Sequence, residues 1–173
     1  MKSPILGSAY VARSVNAADN RMINLFPEIV PEGGSEPGFL NRAPGLNFLQ
    51  TVGTGPIRGL WAHQTNGSDF YVVSGSSVYR LTGLTATPQL LGSVSGTGPV
   101  SIADNGGVIF FACGGPSYTY YELTGEFNQI TDGNFAGAST VAYIDGFFVF
   151  NEPNTQNIWS VISLDATNNF IYP

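Results

Sequence analysis

The chain alternates short apolar runs with turn-forming residues, and it does so at a nearly fixed interval. Three runs of aromatic and β-branched residues stand out: Phe70-Tyr71-Val72-Val73, Val108-Ile109-Phe110-Phe111 and Phe147-Phe148-Val149-Phe150. Each follows a turn dipeptide, Asn66-Gly67, Asn105-Gly106 or Asp145-Gly146, so the turns fall at 66, 105 and 145, spaced by 39 and then 40. Asn-Gly and Asp-Gly between apolar runs predict tight hairpins, because a two-residue I′ turn needs positive φ at both central positions.

The units also open and continue alike. Gly53-Thr54-Gly55-Pro56 leads into a predicted strand over Ile57–Ala62, and Gly96-Thr97-Gly98-Pro99, 43 positions on, leads into Val100–Ala103. The third copy has lost the Gly-x-Gly-Pro but keeps the strand Thr140–Ile144. Further strands are predicted at Ser77–Leu81, Thr119–Leu123 and Ile158–Val161, with weaker ones at Gln89–Val94 and Phe127–Ile130. Four short antiparallel strands in about 40 residues describe a β-propeller blade. A meander or sandwich also strings short strands together, but its units need not resemble one another. The expected fold is all-β: an incomplete propeller of four-stranded units with an extended N-terminal arm. The expected divisions are an arm over 1–50, blade-like repeats over 51–94 and 95–135, and a partial repeat over 136–173.

The leader does not share the repeat. Asn24-Leu25-Phe26-Pro27-Glu28 reads as a short extended segment closed at its proline. Pro31-Glu32-Gly33-Gly34-Ser35-Glu36-Pro37-Gly38 is rich in turn formers, and Pro44-Gly45 suits a second turn. Such a leader is expected to lie across the repeats as an arm, or to supply a strand that closes the propeller.

Composition narrows the function classes. Charged residues make up only 10% of the chain against 43% hydrophobic, and 22 Gly and 11 Pro fit many turns and few helices. No apolar run approaches the roughly 20 residues of a membrane-spanning helix. The first ten residues are too short in their apolar part for a signal peptide. All six basic residues (Lys2, Arg13, Arg21, Arg42, Arg58, Arg80) precede position 81, whereas seven acidic residues and no basic one follow it. A surface of that sign repels phosphate and disfavours sequence-specific nucleic-acid binding; any DNA contact falls to the N-terminal arginines.

Candidate chemistry is sparse. His63 is the single histidine, and with no Cys near it neither a metal site nor a Cys–His pair is expected; it reads as a solvated strand-end residue. Asp104, Asp132 and Asp145 recur because the turns recur, which argues against a glycosidase pair. No Lys or helix follows Gly53-x-Gly55 or Gly96-x-Gly98, so the phosphate-loop context is missing. Asn66-Gly67-Ser68 matches a glycosylation acceptor, but the hairpin reading is stronger. Cys113, the single cysteine, follows a strand and reads as a small buried hydrophobe, which suggests folding in a reducing compartment. Tyr120-Tyr121 and Phe147-Phe148 read as core packing between stacked blades, since neighbours on a strand face opposite ways. No catalytic, metal or cofactor site is assigned.

An ordered set of segments carries a resemblance. Tyr10-Val11-Ala12-Arg13-Ser14, Ile23-Asn24-Leu25-Phe26-Pro27-Glu28, Ala43-Pro44-Gly45-Leu46 and Pro56-Ile57-Arg58-Gly59-Leu60 resemble the start of the packaged-DNA stabilisation proteins, the tail accessory factors of short-tailed bacteriophages. Tyr71-Val72-Val73-Ser74-Gly75, Val78-Tyr79 and Val100-Ser101-Ile102-Ala103-Asp104-Asn105-Gly106 continue it, so it runs from about residue 9 to 150. The resemblance implies a β-propeller virion protein without catalysis or cofactor. It implies a ring of copies at the head–tail junction, beneath the portal and head-to-tail adaptor and above the tail needle. It would plug the portal channel, retain packaged DNA and form a hub for further tail parts, after assembly in the host cytoplasm. The non-repeated leader is then the expected assembly surface, with Arg13, Arg21, Asn24, Leu25, Phe26, Pro27 and Glu28 as candidates. The alternative is a carbohydrate- or host-receptor-binding propeller, which needs exposed aromatics gathered at one end of the blades.

Family members are longer than this chain. Two blades and most of a third cannot close a ring of about four to eight. The expectation favours a piece of a larger protein; blades combined from several chains, or an open arc covered by partners, are the alternatives.

Overall fold

A computed structural model of the 173-residue chain describes residues 24–29, 38–63, 68–164 and 170–171. The chain forms two compact units, Met1–Phe48 and Leu49–Pro173. Arg13, Arg21, the Asn66-Gly67 turn and most of the Pro31–Gly38 loop lie outside the described residues.

In the first unit β1 (Leu25–Ile29) pairs antiparallel with β2 (Gly38–Arg42), Leu25 opposite Arg42 and Pro27 opposite Leu40. The strand therefore runs on through Pro27 instead of ending there. The register explains why. The Ala43 N–H donates to the Asn24 carbonyl at 2.8 Å, which makes that pair a hydrogen-bonded one. Three positions on, the alternation places Pro27 at a pair that exchanges no ladder bonds, where a missing N–H costs nothing.

The second unit is a stack of three antiparallel sheets. The first blade is β3 (Ile57–Ala62), β4 (Phe70–Ser74), β5 (Ser77–Leu81) and β6 (Gln89–Ser93), in that order across the sheet. The second is β7 (Ser101–Asp104), β8 (Val108–Ala112), β9 (Ser117–Tyr121) and β10 (Glu126–Gln129). The third has three strands, β11 (Val141–Ile144), β12 (Phe147–Asn151) and β13 (Ile158–Val161). A short pair, β14 (Ser163–Leu164) with β15 (Phe170–Ile171), follows. The described residues contain no α-helix. This is the all-β, blade-like architecture that the repeat predicts, and the sheets do not close on themselves.

The hairpin turns show how local chemistry sets register. Asp145 and Gly146 form the two-residue loop of β11–β12 with φ of 49° and 88°, as the I′ reading requires. In the second blade the loop is shifted by one residue. Asp104 pairs with Ile109 and the Asn105 N–H donates to the Val108 carbonyl, which leaves Gly106-Gly107 as the loop. Gly106, the first loop residue, holds a φ of 86°, which glycine adopts at no steric cost. Asn105 then braces the turn from outside, its Oδ1 accepting from the Gly107 and Val108 N–H groups at 3.1 and 2.8 Å.

The core lies between the sheets. Strand β8 is buried along its whole length, because the second blade is covered on both faces. Ile109 and Phe111 pack with Tyr71, Val73 and Val78 of the first blade. Phe110 and Ala112 point the other way, to Val141, Phe148, Phe150 and Val161 of the third. The same alternation sends Tyr120 into the first joint and Tyr121 against the second. Burying a side chain of this size is worth about 1.5–3 kcal/mol, so β8 alone anchors both joints.

First strands succeed one another along the inner side of the stack. The Val100 N–H donates to the Arg58 carbonyl at 2.8 Å, and the Val141 N–H donates to Ser101 Oγ at 3.1 Å. Gly59 and Gly92 are among the positions with no room for a side chain. A Cβ on Gly59 would sit 2.8 Å from the Val100 carbonyl oxygen, and one on Gly92 would sit 2.3 Å from Phe127 Cδ1. The inner and outer strands of neighbouring blades approach closely because glycine occupies these two sites.

Candidate functional site

Of the leader residues singled out for assembly, Leu25, Phe26, Pro27 and Glu28 lie on β1 and Asn24 immediately precedes it, while Arg13 and Arg21 lie outside the described residues. Asn24, Leu25, Phe26 and Glu28 are all exposed, with Leu25 at 38% and Phe26 at 47%. Phe26 stands opposite Asn41, and the Asn41 amide donates to the Glu28 carboxylate diagonally across the hairpin. Asn24 holds a left-handed φ of 54°, a conformation that Asn tolerates better than most residues. Phe26 and Glu28 share one face of the hairpin and Leu25 takes the other.

A second constellation sits inside the joint between the first two blades, and the sequence pattern did not point to it. Trp61, Tyr71 and Arg80 are cross-strand neighbours in one row of the first blade, all facing the second. The Trp61 indole N–H donates to Asp104 and the Tyr71 hydroxyl donates to Glu122, both on the second blade. Arg80 pairs with Asp69 through two nitrogens, Nε at 3.0 Å, and its Nη1 lies 3.5 Å from the Tyr120 hydroxyl. Its Nη2 lies 3.8 Å from Glu122 Oε1.

His63 belongs to this group. It is 3% exposed, which overturns the reading of a solvated strand-end residue. The reason is the length of the β3–β4 connection: the His63 N–H donates to the Asp69 carbonyl at 2.9 Å, carrying the pairing past Ala62 and under the second blade. Its Nε2 then lies 3.2 Å from Glu122 Oε2 and 4.0 Å from Asp104 Oδ1. Asp104 keeps the turn role expected of it, accepting from the Gly106 N–H at 3.0 Å, and adds this second one. Asp132 is likewise double-duty, accepting from Asn134 N–H at 2.8 Å and from Phe170 N–H at 2.9 Å.

Electrostatics fix the donors. Burial holds the Tyr71 phenol well above its ordinary value, and the hydrogen bond to and charge of Glu122 add to it, so Tyr71 remains a donor. Burial acts to lower Arg80, but its bonds to Asp69 and Tyr120 outweigh this and leave the guanidinium more firmly charged than usual. One acidic side chain of the first blade, Asp69, and two of the second, Asp104 and Glu122, thus meet one permanent cation, Arg80, and the neutral donors Trp61 and Tyr71. A buried network of this kind costs desolvation and returns specificity, fixing how one sheet sits on the next. Among the described residues no group of three His, Cys, Asp or Glu is arranged to hold a metal ion. The second joint is built differently: Phe110, Phe148, Phe150 and Phe170 fill it with stacked and tilted rings 5.3–6.5 Å apart.

The repeated opening turn has its own keeper. Arg58 donates from Nε to the Gly98 carbonyl at 2.7 Å, from Nη1 to the Gly75 carbonyl at 2.8 Å and from Nη2 to the Ser95 carbonyl at 3.1 Å. One guanidinium therefore ties a hairpin turn of the first blade to the Gly-x-Gly-Pro that begins the second. The glycines in this motif serve a structural turn, with Gly53 and Gly96 at φ of 65° and 76°. Cys113 is buried beside this turn, as read from the sequence, and burial pushes its thiol up to about 11, against a smaller lowering by Arg58.

Comparison with known proteins adds the family. Comparison with curated proteins finds no match. Among solved structures the chain is similar to hydrazine synthase of Kuenenia stuttgartiensis at 13% identity and TM-score 0.45, over 73% of this chain and 38% of that one. It is also similar to a chain of the mitotic checkpoint complex, at 12% identity and TM-score 0.47, over 75% and 46%. The computationally designed Ika4 protein matches at 12% identity and TM-score 0.36, over 67% of this chain and 98% of that one. The chain thus spans less than half the length of the first two. The family model for bacteriophage P22 Gp10, a β-propeller, matches residues 1–168. With nearly the whole length matched and the blades in view, the chain belongs to the phage DNA-stabilisation family represented by bacteriophage P22 Gp10.

Proposed function

We propose that this protein is a non-enzymatic part of the virion at the head–tail junction, where it plugs the portal channel, retains packaged DNA and serves as a hub for further tail parts. The observation that carries this reading is the family match over residues 1–168. The chemistry agrees with a steric role. The chain has no basic residue after Arg80, so a grip on DNA phosphates by the blades is disfavoured and retention rests on closing the exit.

The partners in this reading are other copies of the chain in a ring, the portal or head-to-tail adaptor, and a tail needle or other tail protein. Assembly takes place in the host cytoplasm. The assembly surface is the leader: Arg13, Arg21 and the strand residues Asn24, Leu25, Phe26, Pro27 and Glu28. Rings of identical chains need a heterologous contact that closes on itself, and an exposed edge strand outside the blades suits one.

The test is particle content. Phage grown without this protein should package DNA to full length and then lose it, and adding the purified protein to fresh filled heads should stop the loss. Particles that hold their DNA without the protein would refute the role. Removing residues 1–48 should leave a folded β-rich protein that no longer joins filled heads.

A further inference from the structure

We infer that Asn105 is a latent deamidation site, held shut by the joint between the first two blades and released when that joint opens. An Asn-Gly dipeptide is prone to this reaction because glycine has no side chain to shield its backbone nitrogen from the carboxamide before it. The Gly106 nitrogen gives up its proton and bonds to Asn105 Cγ, and the carboxamide nitrogen takes a proton and leaves as ammonia. Water then opens the resulting succinimide at one carbonyl or the other, which leaves aspartate or isoaspartate. The isoaspartate form adds a methylene to the main chain at the residue whose N–H pairs with the Val108 carbonyl, so it cannot rebuild this turn.

Both reacting groups are engaged in the folded hairpin. Asn105 is half-buried, and its Oδ1 accepts from the Gly107 and Val108 N–H groups at 3.1 and 2.8 Å. The nucleophile is held as well, since the Gly106 N–H donates to Asp104 Oδ1 at 3.0 Å. Ring closure turns Asn105 until its Cβ eclipses the Gly106 nitrogen, at a ψ outside the main regions open to an L-residue, and these three bonds resist that turn. Asp104 makes the closure a property of the joint. It is fully buried, and its other oxygen accepts from the Trp61 indole of the first blade. Loss of the Trp61 contact therefore loosens the same carboxylate that holds Gly106. The inference does not depend on the role in the virion.

The experiment follows Asn105 by peptide mapping and mass spectrometry, with enzymatic methylation to count isoaspartate. In the folded chain at neutral pH, three hydrogen bonds of ordinary net strength should slow deamidation at Asn105 by about 100-fold relative to the chain unfolded in guanidinium chloride. Trp61→Phe should keep the far-ultraviolet circular dichroism of the parent and raise the folded-state rate by about 2- to 10-fold. Phe150→Leu, in the joint between the second and third blades, is the control for general destabilisation and should leave the rate unchanged. Equal rates in the folded and unfolded chains overturn the inference. A Trp61→Phe rate equal to the parent's, or a rise of the same size in Phe150→Leu, overturns it too, since the first joint then does not hold the site.

Discussion

The indole N–H of Trp61 donates to the carboxylate of Asp104, and the two residues occupy the same position in successive copies of the repeat, 43 apart. A donor in the first blade thus meets an acceptor in the second at the start of a joint whose remaining contacts include His63, Glu122 and Arg80. Asp104 is fully buried. Replacing Trp61 with Phe keeps most of the apolar area but leaves that carboxylate short of a donor, so stability should fall by about 1–3 kcal/mol. Urea unfolding of Trp61→Phe, Asp104→Asn and the double variant measures the coupling. The double variant should lose less than the sum of the singles, and strict additivity would show that the bond does not hold the joint.

Alkaline pH should weaken the fold in two separable steps. Tyr71 and Cys113 both have folded-state values raised above their ordinary 10.0 and 9.0. For an acid raised in the folded state, the unfolded chain releases its proton first. The stability it contributes is complete below the unfolded value and is lost as pH rises beyond it. Cys113 should begin to act near pH 9 and level off near 11, and Tyr71 should act from about pH 10 upward, each with a slope of at most about 1.4 kcal/mol per pH unit. Cys113→Ala should remove the first step and Tyr71→Phe the second. The same shift lowers the native thiolate fraction at neutral pH by about 100-fold, so alkylation of Cys113 should be slowed at least that much until urea opens the joint.

Much of the fold was legible because turns and alternation are local. Asp145-Gly146 forms the loop expected of it, and the strands fall where aromatic and β-branched runs do. What was not legible depends on which blade lies against which. His63 reads as exposed when only its neighbours in sequence are known, and Glu122 lies 59 positions away from it. One signal was available: Trp61 and Asp104 share a repeat position, and repeat positions on first strands come together in a propeller. Pro27 misled for the opposite reason. Its ring ends a strand only where an N–H is needed, and the register of β1 needs none there.

Close approach of outer strands makes a sharp test of blade spacing. A methyl group at position 92 meets the Phe127 ring at 2.3 Å, so Gly92→Ala should cost about 1–3 kcal/mol by overpacking. Phe127→Leu in the same chain should recover part of the loss, although Phe127→Leu alone destabilises. Thermal unfolding of the three variants decides it. If Gly92→Ala is neutral, the outer strands are farther apart than this packing requires.

Arg58 offers the most specific prediction about the repeated turn. Its planar fork reaches three carbonyls in three directions, on Gly75, Ser95 and Gly98, which a lysine ammonium on a single flexible stem cannot do at once. Arg58→Lys keeps the charge and loses the geometry, and should cost about 1–3 kcal/mol. Arg42→Lys, at an exposed position of β2, is the control and should be within about 0.5 kcal/mol of the parent. Hydrogen exchange should locate the effect: amides at Val94 and Val100, whose partners are the Ser76 and Arg58 carbonyls, should lose protection before those of β8. Equal loss across all three blades would mean that Arg58 supports the fold generally and does not tie the second blade to the first.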